Sequence, residues 1–253
     1  MTETGQIPTN LRLFRLVEEV AQAGVPVSPA SLADALNLPR ATVHRLLVTA
    51  EEEGLLQRDV DGRSFGPGLR LRRLSANTLS SQRVRTERLM IMKALAEEVG
   101  ETCNLAAPGR YQMVYLDRVE THWPLRIQLP IGTQVPFHCT ASGKMYLSSL
   151  RQDKLERLLT SLTLSRNTSR TMVEPGALLT DIQLTRTRGY STDNEEFMDG
   201  MAAIAVPVED DQGRLLTTLS IHAPVQRSHL EALLDKLSNL RDAAQKLSRL
   251  TVD

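Results

Sequence analysis

The chain has 253 residues, 30 Lys plus Arg against 30 Asp plus Glu, with 41% hydrophobic and 24% charged residues. These are the proportions of a folded chain of one large or two modest domains, and they disfavour disorder as the dominant state. No apolar run approaches the ~20 residues of a membrane span, the start MTETGQIPTNLR lacks a basic-then-apolar leader, and two cysteines cannot build a disulfide framework, so a cytoplasmic chain without a membrane partner is expected.

Charge by segment is more informative than the total. Residues 1–80 carry nine Arg and nine Asp or Glu, and the first Lys is Lys93. No bulk positive field announces nucleic acid, but every cation of this segment offers the bidentate fork that suits phosphate and guanine. High-GC codon usage is the alternative reading of that bias.

In chain order, Asn10–Ala23 places Leu13, Leu16, Val17 and Val20 on one face of a helix, stopped by Gly24 and Pro26. Ser28 before Pro29 opens a short helix through Leu36. After a turn at 37–39, Arg40–Glu53 forms a third helix with Val43, Leu46, Leu47 and Ala50 inward, ended by Gly54. Leu55–Val60 and Arg63–Gly66 flank Asp61-Gly62, the signal of a tight hairpin. Helix, short helix, turn, helix and hairpin spell a winged helix-turn-helix.

The outer face of the third helix holds Ala41, His44, Arg45 and Thr49, with Arg40 and Thr42 near its start. This set can grip phosphate, fork onto guanine and touch thymine methyls in a major groove. Glu51, Glu52 and Glu53 at the far end repel phosphate, so the N-terminal half is the part expected to enter DNA. Arg63 at the wing tip can reach the backbone or minor groove. A protein-interaction module with a solvated polar face is the competing reading. With only 4% aromatics, a stacking platform for single strands is disfavoured. Leu69–Leu79, with Arg70, Arg72 and Arg73, is expected as a linking helix.

LPRATVHRLLVTAEEEGLLQRD (38–59) resembles the DNA-binding domain of the IclR family of bacterial transcriptional regulators. IGTQVPFHCTASGKMYLSSL (131–150) and RTRGYSTDNEEFMDGMAAIAVPVEDDQGRLLTTLSI (186–221) resemble that family's effector-domain hallmarks, in the family's order, and the likeness runs from about residue 11 to 250. The first helix departs from it, reading NLRLFRLVEEV where an Arg-Ala-Leu start is usual.

The second half, read on its own residues, is α+β. A helix at Glu87–Val99 precedes strands at Thr102–Ala107 and Tyr111–Val119 around Pro108-Gly109, and a short strand at Leu125–Leu129. Helices follow at Ser142–Leu150 and Pro175–Arg188, then strands at Met201–Val208 and Leu215–Ile221. One long final helix carries the stripe from Leu230 to Leu247. The resemblance implies a GAF-like, mostly antiparallel sheet with a ligand cup. The expected division is a DNA-binding domain at 1–67, a linker helix at 68–82 and an effector domain at 83–253.

The turn Thr140-Ala141-Ser142-Gly143 opens a helix whose first amides can receive an anion such as a carboxylate. The resemblance assigns Ala141, Ser142, Asp193, Ala203, Ser220 and His222 to the effector pocket, with Val135 and Met201 as apolar wall. Ser220 and His222 alternate onto one strand face. Against these stand a plain helix cap for Ser142 and a strand-end position for His222.

Catalysis and metal binding are poorly supported. Gly143-Lys144 lacks the spacing of a phosphate loop and of a serine–lysine acyl enzyme. His138 and Cys139, as strand neighbours, point to opposite sides. His122, His138, Cys139 and His222 show no paired ligand spacing, and Glu195-Glu196 reads as a loop feature. No cofactor is expected. The overall expectation is a non-enzymatic regulator that binds duplex operator DNA as a homodimer or a dimer of dimers and answers a small, carboxylate-bearing metabolite. The alternatives are a redox- or metal-responsive regulator and a hydrolase using Cys139.

Overall fold

The computed structural model describes residues 7–79, 82–124, 126 and 128–250. The chain divides into two compact units between residues 81 and 82.

In the first unit a 3-10 turn at Thr9–Leu11 leads into α1 (Arg12–Gln22), then α2 (Pro29–Leu36), α3 (Arg40–Glu52), the hairpin β1 (Leu56–Arg58) and β2 (Phe65–Pro67), and α4 (Leu69–Leu79). Leu16, Val20, Leu32, Val43, Leu47, Leu56 and Phe65 close one core beneath the three helices and the hairpin. Ser28 Oγ accepts from the Ser31 amide at 3.1 Å and Pro29 takes the first helical position, as the sequence predicts. Asn37, left-handed at φ 49°, ends α2 and turns the chain toward α3.

The wing departs from a two-residue hairpin. Arg58 opposite Phe65 is its last pair, so six residues, 59–64, form the tip. Asp61 shapes it: Oδ1 accepts from the amides of Arg63 and Ser64 at 2.7 and 2.8 Å, and Oδ2 from Ser64 Oγ at 2.8 Å. A side-chain-closed turn therefore replaces the tight type that Asp-Gly suggests. Beyond β2, a Cβ on Gly68 would lie 2.3 Å from the Gly54 carbonyl oxygen, so glycine is what lets α4 start against the end of α3.

The second unit holds α5 (Gln82–Val99), β3 (Thr102–Pro108), β4 (Gln112–Val119), β5 (Gln134–Pro136), α6 (Ala141–Ser149), α7 (Gln152–Ser161), α8 (Pro175–Arg188), β6 (Ser191–Asn194), β7 (Met201–Glu209), β8 (Leu215–Pro224), α9 (Leu230–Leu234) and α10 (Leu237–Arg249). The strands form one antiparallel sheet in the order β5-β4-β3-β8-β7-β6. One face carries Cys103, Leu105, Ile204, Val206, Leu219 and Ile221 against Met92 and Leu95 of α5 and Leu240, Ala244 and Leu247 of α10. On the other, Met113, Tyr115 and Val135 meet Leu155 of α7 and Leu178 and Ile182 of α8, while α6 lies over β7 and β8. This is a three-layer α+β unit.

Several expectations change here. Within Leu125–Leu129, Leu125 and Ile127 lie outside the described residues, and Arg126, Gln128 and Leu129 are not in a strand. The last helix is broken: α9 stops before Asp235 and α10 starts after Lys236, whose Nζ donates to the Val99 carbonyl at 2.7 Å. The apolar stripe runs through both pieces, which hides the break. β8 extends to Pro224, so His222 lies within the strand rather than at its end.

Candidate functional site

Two groups of residues are candidates, one in each unit. On α3, Arg40, Ala41, His44, Arg45 and Thr49 are exposed and Thr42 is half-buried, while Val43, Leu47 and Ala50 point into the core. Arg63 is exposed at the wing tip. Among the described residues Arg40, Arg45 and Arg63 make no ion pair. Arg58 and Arg70 behave differently. Arg58 Nε donates to Glu51 Oε1 at 3.0 Å and its guanidinium stacks on Phe65, while Arg70 is paired with Glu53. The wing and α4 thus bind two of the three glutamates at the end of α3. The sequence reading saw the glutamates only as repulsive; their partners lie 7 and 17 residues on, beyond any helical spacing.

The register of the large sheet assembles the second candidate. One row across the α6 face runs Ser191, Ala205, Ser220, Asn104, Arg118 on β6, β7, β8, β3 and β4. The next runs Asp193, Ala203, His222, Thr102. Four of the predicted residues, Asp193, Ala203, Ser220 and His222, are therefore brought together. Above them α6 is capped by Thr140, whose Oγ1 accepts from the Gly143 amide at 3.0 Å. Ser142 is not the cap; its Oγ lies 3.4 Å from Ser220 Oγ. Ala141 and Met145 pack on Ala203 and Ala205, so small side chains on β7 let the helix settle close to the sheet. Gly143 is required for the same approach, since a Cβ there would lie 2.4 Å from the Phe137 carbonyl oxygen.

Val135 and Met201 are both fully buried, but they do not form one wall. Val135 sits on the edge strand β5 among Met113, Tyr115 and Phe137, with β4, β3 and β8 between it and Met201 on β7. The family-like motif order gives no register, and register separates them.

The electrostatics of this patch are those of buried groups. His222 Nε2 is 2.9 Å from Ser220 Oγ, and burial, with the positive Arg118 nearby, pushes its pKa down to about 3, so the ring is neutral. Asp193 is fully buried. Its Oδ1 accepts from the amides of Glu196 and Phe197 at 2.8 and 3.3 Å, while Oδ2 has no partner. Burial first, then the Glu196 carboxylate, pushes Asp193 up to about 7. Asn104 Nδ2 and Tyr115 Oη are likewise buried without a hydrogen bond. Each such atom costs about 1–3 kcal/mol unless something meets it.

Beside this patch lies a cluster that the sequence reading missed. Lys144, wholly buried, places Nζ 2.7 Å from Glu196 Oε1 and 2.9 Å from Asp181 Oδ2. Thr168 and Thr171 donate to the carbonyls of Glu195 and Glu196 at 2.6 and 2.7 Å. Glu195 and Glu196 do serve the loop, the latter as the partner of a buried cation. The Gly-Lys pair signalled this lysine, but its partners lie 37 and 52 residues away.

Cys139 is fully buried, and burial with Asp193 and Glu196 nearby pushes its thiol up to about 12, which favours the neutral thiol. His138 Nε2 lies 2.9 Å from the Ser165 carbonyl oxygen. Among the described residues no three His, Cys, Asp or Glu side chains gather as a metal-ligating group, and no helix is long and apolar enough to cross a membrane.

Comparison with known proteins follows the same division. Residues 11–60 match the IclR helix-turn-helix domain, and residues 76–249 match the bacterial transcriptional regulator IclR C-terminal domain. A probable transcriptional regulator SauR of Cupriavidus necator is 37% identical over 237 residues, covering 94% of each chain. The Thermotoga maritima IclR crystal structure is 25% identical with a TM-score of 0.63, covering 95% of this chain and 97% of that one. The inducer-binding domain of the Acinetobacter transcription factor PobR, a double mutant in complex with 3-hydroxybenzoic acid, is 25% identical with a TM-score of 0.59. It covers 63% of this chain and 94% of its own.

Proposed function

This chain belongs to the IclR family of bacterial transcriptional regulators, and from that premise we propose that a small carboxylate-bearing metabolite, held in the C-terminal cup, sets its affinity for operator DNA. The observation that carries this reading is the convergence of Ser142, Ser220, His222 and the unpartnered Asp193 Oδ2 on one buried patch under the start of α6. Hydroxyls and a neutral imidazole can donate to a carboxylate, and the amides of Ala141 and Ser142 lie at the positive end of α6. A carboxylic acid bound to the PobR domain supports the same class of ligand.

In this reading residues 1–67 read DNA, 68–82 link, and 83–253 bind the effector. Arg40, Thr42, His44 and Arg45 lie in the major groove, while Arg63 holds the backbone or the adjacent minor groove. Two chains present two recognition helices to two half-sites, and two such dimers share one operator. The effector binds one arrangement of the linker helices better than another, shifting operator affinity by about 1–3 kcal/mol.

The test uses full-length protein and an operator duplex recovered by selection from a random library. Fluorescence anisotropy then follows binding against a panel of organic acids. Ser220→Leu is expected to bind DNA normally and to ignore the acid that moves the wild type. Equal loss of both properties points to misfolding, and an unaltered response removes Ser220 from the site.

A further inference from the structure

The buried polar patch under α6 has a second group of residues that this reading does not use. On its β3–β4 side Asn104 and Tyr115 are 0% and 1% exposed, and Asn104 Nδ2 and Tyr115 Oη have no hydrogen-bond partner. The orientation of the Asn104 amide follows from its neighbour. Arg118 can only donate, and its Nη1 lies 2.9 Å from Asn104 Oδ1, so Nδ2 is the end turned away. The Arg118 side chain is itself 6% exposed and held in place by Glu120, to which its Nε donates at 3.1 Å. It stands in the same cross-strand row as Ser220, with Asn104 between them. Tyr115 meets His222 edge-on, ring centroids 6.2 Å apart, which places the phenol ring on the cup face.

Two orphaned donors beside a held guanidinium can receive a second anionic group: Asn104 stands on β3 directly opposite Ser220, and Tyr115 lies one strand further, on β4, against His222. We propose that the effector is a dicarboxylate-like acid. One anionic end is received at Ser142, Ser220 and His222; the other is received by Asn104 Nδ2 and Tyr115 Oη next to Arg118. This rests on the effector reading above and adds to it the length and charge of the ligand. A carboxylate at the second end would give the two orphaned atoms an acceptor, next to the Arg118–Glu120 pair.

Thermal shift and calorimetric titration of the full chain with acetate, malonate, succinate, glutarate and monomethyl succinate test it. The expected result is one preferred diacid length, bound at least about tenfold tighter than acetate, with the preference lost in the monomethyl ester. Tyr115→Phe and Asn104→Leu should each bring the diacid-to-acetate ratio toward one. Tyr115→Phe should also leave the ligand-free melting temperature unchanged or higher, since it deletes an unsatisfied hydroxyl without altering shape. That melting measurement separates lost recognition from a damaged fold. Equal binding of acetate and every diacid, or a preference that survives both variants, overturns the second end while leaving the effector site in place, provided Ser220→Leu abolishes acid binding. If no acid stabilises the wild type, or diacid binding survives Ser220→Leu, the effector reading falls and the proposal with it.

Discussion

The two units keep their working groups in opposite physical states. On α3 and the wing, Arg40, His44, Arg45 and Arg63 stand in water, and none of the three arginines has an ion pair among the described residues. The neighbouring Arg58 and Arg70 are committed to Glu51 and Glu53 and hold the scaffold. In the cup Asp193, Asn104 and Tyr115 are buried, each with an atom that no protein group meets. The first arrangement leaves binding and stability separable. The second couples them, because a buried polar group acts on folding whether or not a ligand is present.

The largest expected effect tests that coupling. Lys144→Ala removes the cation between Glu196 and Asp181 and leaves buried carboxylates unopposed, so unfolding free energy should fall by about 3–5 kcal/mol in a denaturant melt. Next is Asp193→Asn. The folded pKa of about 7 lies above the unfolded 3.8, so the native carboxyl keeps a proton that the unfolded chain releases. Its contribution is complete below pH 4 and lost as pH rises to 7. Asparagine keeps the oxygen that accepts the two amides. The variant should therefore match the wild type near pH 4 and exceed it at pH 8 by on the order of 4 kcal/mol. A difference independent of pH would mean the carboxyl is not held protonated.

In the head the separation should be visible. Arg45→Ala is expected to weaken operator binding by about 1–3 kcal/mol while changing stability by no more than about 0.5 kcal/mol. Anisotropy and a thermal melt on one preparation check both; normal operator binding would remove Arg45 from the reading face. The smallest effect belongs to the scaffold arginine. Arg58→Ala loses an exposed pair with Glu51, and its stability cost should stay below about 1 kcal/mol.

Local pattern made most of the head legible. The apolar spacing of α1 and α3, the Ser28-Pro29 start of α2 and the glycine after α3 each act within four residues. In the effector unit the helix α8, with Pro175 at its start and Gly189 at its end, was as plain. What escaped depends on distant pairing. β6 has four residues and β5 three, too short for alternation to declare them. α7 and the Lys144 cluster went unread, as did Arg118, because their partners come from other strands and helices. Ser220 and His222 were visible as alternating residues, whereas Asn104 and Tyr115 join them only through register.

One irregularity in that register has a mechanical consequence. Between β3 and β4 the pairing slips, with Leu105 opposite Asp117 but Ala106 opposite Tyr115, so Leu116 is an extra residue in the ladder. Strict alternation would point Tyr115 and Asp117 to the same side. The slip sends Tyr115 to the cup, while Asp117, fully buried, is gripped by Arg85 and Arg88 in the first half of α5. A single strand thereby carries Tyr115 on the α6 face and is fastened through Asp117 to the helix that opens the second unit. Tyr115 and Asp117, two residues apart on β4, therefore bear on opposite faces of the sheet.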